Sequence, residues 1–538
     1  MDVEQRLRLV ELAEQFPPTA KQSYGTAGFR NDASLLNSTV FRMGILAVLR
    51  SLKTQSTIGL MITASHNKVS DNGIKIADPS GCMLSQDWEP FAESLANASS
   101  SEHLLQAIEE FAEKENISFN NLLNGEVLLG RDTRPSGKAL LEAAKQGIAS
   151  ITGAIAHDLG ILSTPQLHWM VWARNKGVEA SEYEYFHQLS SSFRQLMSLN
   201  PKYNDEDVVI VDAANGVGGD KLNALKPLLN GLNIEIRNRG EDGVLNEGVG
   251  LDFVQNEKTS LIGFGSNDVG SRCSSLDGDG DGDRLVYFTP STDAGKNIVL
   301  VDGDKILSLF SLFIKQQLDL MGSNGGPIRF GAVQTAYANG ASTSHLRNSG
   351  VEVVLTPTGV KHLHKEAERF DIGIYFEANG HGTVLFSDAL LSRVEGGTRG
   401  SSDEQNAALR LLAVSKLMNQ AVGDALSGLL LVEAVLKYYK WDLDTWNGMY
   451  NDLPSQQLKV KVRDRTAVVT SMDETTVVSP RGMQEMIDAE IGKYKGGRCF
   501  IRPSGTEDVI RVYAEAFSDV DAQNLAHSVA QLVHQVLS

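Results

Sequence analysis

A several-domain α/β protein is what this sequence predicts, and three observations predict it. First, short β-branched or leucine-rich runs alternate with helical patterns: EVLLGRD (126–132), VVIVDAANG (208–216), IRFGAVQT (328–335), VEVVLTPTG (351–359) and IGIYFEANG (372–380). Each ends in small or polar residues, as strands buried on both faces do, and functional residues in such sheets gather beyond the strands' carboxyl ends. Second, LKVKVRDR (458–465), RCFIRPSGTE (498–507) and VIRVYAEA (509–516) alternate more strictly and precede the helical DAQNLAHSVAQLVHQVL. That is a smaller α+β unit with a half-exposed antiparallel sheet. Third, 538 residues are enough for three or four domains at about 100–200 residues each. Boundaries near Gly177, residue 298 and residue 449 give the segments 1–177, 178–298, 299–448 and 449–538.

Composition excludes several classes. The hydrophobic fraction of 42% and charged fraction of 22% are those of a globular protein, not a disordered one. A net charge of −18, spread along the chain, argues against a nucleic-acid binder, which presents a dense basic stripe. Cys82, Cys273 and Cys499 are odd in number and widely spaced, so they support neither a disulfide framework nor a zinc knuckle. The opening MDVEQRLRLVELAEQF reads as a charged amphipathic helix rather than a signal peptide. The most apolar run, Leu429 to Leu436, contains Glu433 and is too short to span a bilayer. The expectation is a cytoplasmic protein, monomeric, with no membrane and no nucleic-acid partner.

The strongest chemical signal is SLDGDGDGDRLVYF (275–288). Asp277, Asp279, Asp281 and Asp283 alternate with glycines, which let the backbone curl until several carboxylates converge. Such carboxylates repel unless a cation lies among them, and an all-oxygen set suits Mg²⁺ or Ca²⁺ rather than zinc. A calcium loop starting at Asp277 would carry Gly282 correctly at its sixth position, but Phe288 stands where its twelfth needs a bidentate glutamate.

Arg502, Pro503, Ser504, Gly505 and Thr506, between two predicted strands, form a second signal, with Arg511 shortly after. Loop amides and two hydroxyls make an anion nest, and two guanidiniums can clamp a phosphate. Strand alternation turns Ile510, Val512 and Ala514 to the core and Arg511 the other way. Beyond an apolar strand, Glu377, Ala378 and Asn379 open EANGHG, where directional oxygen acceptors suit sugar hydroxyls, and His381 is a loop histidine. YGTAGFR carries Arg30 and GRDTR carries Arg134, although a surface ion pair is the commoner fate of an arginine. VDAANGVGG (211–219) lacks both nucleotide-binding spacings and reads as a tight strand-to-helix turn. Ser65, in TASHN, is either a turn-capping serine or a nucleophile that needs activation.

Taken in order, YGTAGFR, TASHN with DNGIK and DPSG, the Asp-Gly loop ending in Asp-Arg, TPTGVKHLH (356–364), EANGHG and RPSGTEDVIRVYAEA resemble the α-D-phosphohexomutase superfamily over essentially the whole chain. GRDTR follows the serine loop instead of preceding it, which is similar to the permuted first domain of the superfamily's acetylglucosamine branch; EANGHG points the same way. The resemblance implies three α/β domains with mixed sheets plus the C-terminal α+β domain, in a four-domain heart-shaped arrangement around a central cleft. It implies that Ser65 is the phosphoserine, ligating one Mg²⁺ together with the aspartates before Arg284. These are Asp279, Asp281 and Asp283, or in the other register Asp277, Asp279 and Asp281. Lys75, Arg30 and His66 would surround the transfer site, with Lys75 or His66 the candidate base; Glu377 to Asn379 would bind the sugar. Arg284 would reach the substrate, and Arg502 to Thr506 with Arg511 would hold the phosphate that is not transferred.

The implied reaction interconverts N-acetyl-D-glucosamine 6-phosphate and 1-phosphate through a bisphosphorylated sugar, a step of UDP-N-acetylglucosamine biosynthesis. The residues disfavour two rival readings. A Mg²⁺-dependent phosphatase needs only one phosphate position, and a silent sensor has no use for a serine loop beside a basic clamp.

Overall fold

The computed structural model describes residues 1–119, 125–200, 208–241, 243–276, 282–291, 298–322, 326–395, 401–504 and 508–537. They form two compact units, Met1–Leu300 with Lys416–Ala434, and Val301–Ser415 with Val435–Ser538. Among the described residues no helix is long and apolar enough to cross a membrane. The apolar run from Leu429 lies in the helix Ala425–Tyr439, and its Glu433 is fully buried against Arg272 and Tyr287.

In the first unit, a five-stranded sheet is formed by β1 (Phe29–Asp32), β2 (Ile58–Ile62), β3 (Asp71–Ala77), β4 (Glu126–Arg131) and β5 (Ile155–Ile161), in the order β1-β3-β2-β4-β5. Its β2, IGLMI, is buried at every position and sits between parallel β4 and antiparallel β3. A central strand needs no polar face, which is why it reads as a continuous apolar run. The chain leaves β2 at Ile62 and returns as β3 at Asp71, so residues 63–70 are a hairpin loop at the carboxyl end of a buried strand. The helices Asn37–Thr54 and Gly137–Ala149 pack on the sheet's core, which runs from Leu9 to Ile151.

A second sheet follows: β6 (Val208–Asp212), β7 (Asn233–Arg237), β8 (Arg272–Leu276), β9 (Leu285–Pro290) and β10 (Ile298–Val301), ordered β10-β9-β8-β6-β7. Its β8 and β9 are antiparallel with Leu276 opposite Leu285, so the Asp-Gly loop is pinned at both ends to one edge of the sheet. VDAANGVGG does turn from β6 into the helix Val217–Leu225, with Ala214 and Asn215 at positive φ.

The second unit holds a four-stranded sheet of β11 (Phe330–Gln334), β12 (Glu352–Leu355), β13 (Ile372–Phe376) and β14 (Gly382–Phe386), ordered β12-β11-β13-β14. All three larger sheets are mixed, with parallel pairs beside antiparallel ones. The C-terminal part carries β15 (Ser455–Lys461), the small hairpin β16 (Val469–Thr470) and β17 (Val477–Ser479), then β18 (Arg498–Pro503) and β19 (Val509–Glu515). Antiparallel β15-β19-β18 packs Ile510, Val512 and Ala514 against the helix Asp519–Leu537, as alternation requires. The expected half-exposed sheet is found only in part. Edge strand β15 alternates, but β19 is buried at nearly every position because Phe500 and Tyr513 on its other face pack against Ala336 and Tyr337.

Candidate active site

Within the first unit the serine loop is the best-held polar segment. Ser65 is 2% exposed and adopts φ +52°, a left-handed conformation that costs a non-glycine residue about 1–3 kcal/mol and persists only where the surroundings impose it. Arg30 Nη2 donates to its Oγ at 3.0 Å, and its amide donates to Thr63 Oγ1 at 3.2 Å. Arg30 gets there because β1 lies directly on β3, Arg30 opposite Gly73. A Cβ on Gly28, itself at φ +133°, would come within 2.0 Å of the Ile74 carbonyl oxygen. Only glycine permits that approach.

Arg134 is not the surface ion-pair residue that its type suggests. It is 1% exposed, it is paired with the wholly buried Asp132, and its Nη2 donates to the carbonyls of Ser65 at 2.6 Å and Asn67 at 2.8 Å. Asp132 also accepts from Thr63 Oγ1 at 2.7 Å. Burial pushes its carboxyl above the ordinary value, while Arg134 and Thr63 pull it back. Asn246 Nδ2 donates to the same two carbonyls, at 3.4 and 3.2 Å. Nearby, buried Asp212 accepts from Ser275, Asn238 and the amides of Ala214 and Gly250, tying the turn after β6 to the strand that feeds the Asp-Gly loop.

Around the serine, Lys75 Nζ stands 3.9 Å from Asp283 Oδ2. Arg284 reaches Asp283 at 3.8 Å, His66 Nδ1 at 3.4 Å and Asp252 Oδ1 at 3.0 Å. Asp252 Oδ2 lies 4.0 Å from His66 Nδ1. The structure therefore assembles Ser65, His66, Lys75, Arg30, Asp283 and Arg284. Asp277, Asp279 and Asp281 lie outside the described residues. Those described fit a hard cation: the donor set is all oxygen, its loop is pinned at Leu276 and Leu285, and Asp283 stands beside two cations that offset surplus carboxylate.

In the second unit, EANGHG forms the turn of the β13–β14 hairpin, with Phe376 opposite Gly382. The Glu377 amide donates to the His381 carbonyl at 2.9 Å and the His381 amide to Asn379 Oδ1 at 2.9 Å. Asn379 Nδ2 is 3.5 Å from Glu377 Oε2. The start of the helix Gly303–Met321 abuts this turn; a Cβ on Gly303 would lie 1.8 Å from the Glu377 carbonyl oxygen.

The basic clamp is a row. Arg502 and Arg511 are direct cross-strand partners, and Lys459 on β15 is the partner of Arg511 on its other side. Like charges directly opposite destabilise a sheet, so the row carries a local cost that an anion placed on it would offset. Among the described residues, Arg511 Nε is buried without a hydrogen-bond partner. Tyr337 packs edge-on against Phe500 and Tyr513, and both arginines bear electrostatically on its hydroxyl. Pro503 sits opposite Ile510, and the Ser504 amide closes the hairpin on the Val509 carbonyl at 2.8 Å. Gly505 and Thr506 lie outside the described residues. Glu474 accepts from Arg502 Nε at 2.8 Å. Sequence reasoning missed Asn246, Asp252, Lys459 and Glu474. The first, second and fourth stand in no motif, and only the alternation of LKVKVRDR put Lys459 on the face opposite the core.

The family model described as Phosphoacetylglucosamine mutase AMG1, domain III, matches residues 302–441. Phosphoglucomutase/phosphomannomutase models match as well, the C-terminal domain at residues 458–532 and alpha/beta/alpha domain I at residues 44–103 and 96–181. The phosphoacetylglucosamine mutase of Arabidopsis thaliana is 58% identical over 100% of both chains. The structure of Aspergillus fumigatus N-acetylphosphoglucosamine mutase in complex with GlcNAc-6P and magnesium superposes with a TM-score of 0.93 at 38% identity, covering 100% of each chain. A serine-to-alanine variant of that enzyme, in complex with glucose 1,6-bisphosphate, has a TM-score of 0.89 at 39% identity, again over 100% of each chain.

Proposed function

The chain belongs to the phosphoacetylglucosamine mutase family, and on that footing we propose that Ser65 is its phosphoryl carrier. The reaction is the interconversion of N-acetyl-D-glucosamine 6-phosphate and 1-phosphate, through a phosphoserine enzyme and a bisphosphorylated sugar, with Mg²⁺ as cofactor. The observation that carries the serine assignment is the left-handed, almost buried Ser65 with Arg30 on its Oγ and its carbonyl held by Arg134.

In one half-reaction the bond between phosphorus and Ser65 Oγ breaks while a free sugar hydroxyl oxygen bonds to phosphorus and gives up its proton. In the other the second phosphoryl returns to Ser65. Arg30, Lys75 and Arg284 stabilise charge on the transferring oxygens. Lys75 and His66 are the proposed alternatives for taking the hydroxyl proton. Asp279, Asp281 and Asp283 are the proposed Mg²⁺ donors together with the serine phosphate, Asp277 replacing Asp283 in the other register. Bound there, Mg²⁺ supplies charge neutralisation of the transferring phosphoryl group. Glu377, Ala378 and Asn379 read the sugar; Arg502 to Thr506, Arg511 and the newly found Lys459 take the stationary phosphate. We also propose four domains with the boundaries drawn from sequence. A cytoplasmic location is likewise proposed, as the three widely spaced cysteines of the sequence suggest.

Two measurements test this reading. Intact mass spectrometry of the purified protein should show one phosphate that vanishes in Ser65→Ala, together with a loss of turnover on the order of 10⁴-fold. Normal turnover in that variant would reject covalent transfer through Ser65. In a substrate panel at fixed Mg²⁺, isomer formation should exceed phosphate release, and acetylglucosamine phosphates should be preferred to glucose phosphates.

A further inference from the structure

Glu474 is a residue that local structure does not favour and that the turn around it does not need. It sits at φ +60° in the tip of the β16–β17 hairpin, a position that glycine or asparagine fills without strain. The turn is held by its neighbours: Asp473 Oδ1 accepts from Ser471 Oγ at 2.5 Å, from the Thr475 amide at 3.2 Å and from Thr475 Oγ1 at 2.9 Å. Ser471 and Thr476 close it through a backbone bond of 2.7 Å. The Glu474 side chain leaves this turn altogether.

Its two oxygens do different work. Oε1 accepts from Arg502 Nε at 2.8 Å. Oε2 accepts from the amide of Thr358 at 3.0 Å and from Thr358 Oγ1 at 2.5 Å. Thr358 belongs to the TPTG segment that leads into the helix Val360–Ala367, so one carboxylate bridges a phosphate-clamp arginine and a loop of the four-stranded sheet in the same unit. Both ends are largely shielded from water, the Arg502 side chain 21% and that of Glu474 16% exposed.

We propose that Glu474 is a positioning residue of the mutase reaction, which sets the plane of the Arg502 guanidinium for phosphate and locks the clamp to the Thr358 loop. A guanidinium is a planar fork, and an acceptor on Nε leaves both Nη groups to grip an anion in a fixed plane. A carboxylate beside an anion site would ordinarily weaken it. Here its charge is spent on two Thr358 donors and on Arg502, while Lys459 and Arg511 keep the row cationic. The inference rests on the reading of Arg502 as a phosphate ligand.

Glu474→Gln, Thr358→Val and Arg502→Ala separate the two claims. Each is assayed for KM with N-acetylglucosamine 6-phosphate, for the dissociation constant of inorganic phosphate by titration calorimetry, and for Tm. Glu474→Gln keeps an oxygen for Thr358 but loses the charge facing Arg502. It should raise KM and weaken phosphate binding about tenfold with Tm nearly unchanged, and Arg502→Ala should raise both at least as much. Thr358→Val should give a smaller rise, and the Glu474→Gln, Thr358→Val double variant should be non-additive. If Arg502→Ala raises both constants while Glu474→Gln leaves them alone, or changes Tm only, the inference fails and the clamp stands. Tighter phosphate binding in Glu474→Gln would make Glu474 a competitor of phosphate and overturn the inference. Unchanged constants in Arg502→Ala would remove the clamp, and the inference with it.

Discussion

The serine loop of the first unit and the basic row of the second are both built from arginines, but they treat charge in opposite ways. Around Ser65, Arg134 has Asp132, Arg284 has Asp252 and Asp283, and Lys75 has Asp283, while Arg30 donates to the serine hydroxyl itself. In the clamp three cations stand abreast, and among the described residues one carboxylate, Glu474, answers them. The first arrangement holds a backbone in a strained shape. Among the described residues the second carries surplus positive charge, which suits the stationary phosphate proposed for it.

The comparison can be broken most decisively at Arg134. Arg134→Met should cost about 3–5 kcal/mol of stability in denaturant titration, because Asp132 stays behind buried and unpaired, and turnover should fall as the Ser65 carbonyl loses its donor. Arg511→Ala should behave in reverse. KM should rise about 10- to 100-fold while Tm holds or increases, since the substitution relieves the like-charge contact with Arg502 and Lys459. If Arg511→Ala destabilised as strongly as Arg134→Met, the clamp would be a structural pair and the contrast would collapse. Lys459, exposed at the end of the row, sharpens the point. Lys459→Ala should raise KM only about two- to threefold, and the difference should fade as salt shortens the screening length.

The smallest effect concerns how the second unit treats buried acid. Burial, with Asp452 nearby, raises the Asp302 carboxyl to about 7, and Asp304 beside it is raised too, while Lys305 pulls the Asp302 carboxyl the other way. Between the ordinary value of 3.8 and about 7 the folded chain holds more protons than the unfolded one. Stabilisation from this group is therefore present below about pH 4 and lost as pH rises to about 7. Asp302→Asn, still a competent helix cap, should lose less Tm than the parent protein between about pH 5 and about pH 7 by scanning calorimetry.

Most of the candidate site was legible because it is written in contiguous residues at strand ends. TASHN, the Asp-Gly segment, EANGHG and RPSGTE each join a chemically suited cluster to an apolar strand, and each stands between two strands that pair with one another. Arg134 was visible but misweighed, since its type is usually solvated and nothing local announces that Asp132 is buried beneath it. Asn246, Asp252 and Glu474 were invisible for a different reason. Each is a lone polar residue in a turn or helix end, and its partner lies 179 residues away for Asn246 with Asn67 and 116 for Glu474 with Thr358. The half-exposed C-terminal sheet was misjudged because alternation reports one apolar face and says nothing of what aromatic residues on the other will cover.

By itself, then, the sequence determined the α/β class and the ordered series of motifs, and it supplied the proposed roles of the serine, the Asp-Gly loop and the two clamp arginines, because periodicity and residue chemistry are local properties. Tertiary structure alone decided which charges are balanced. The buried Asp132–Arg134 pair, the three cations in register and the bridge from Glu474 to Thr358 arise only when separate strands and turns meet. Coulomb and hydrogen-bond energies depend on distance through space, and spacing along the chain does not report it.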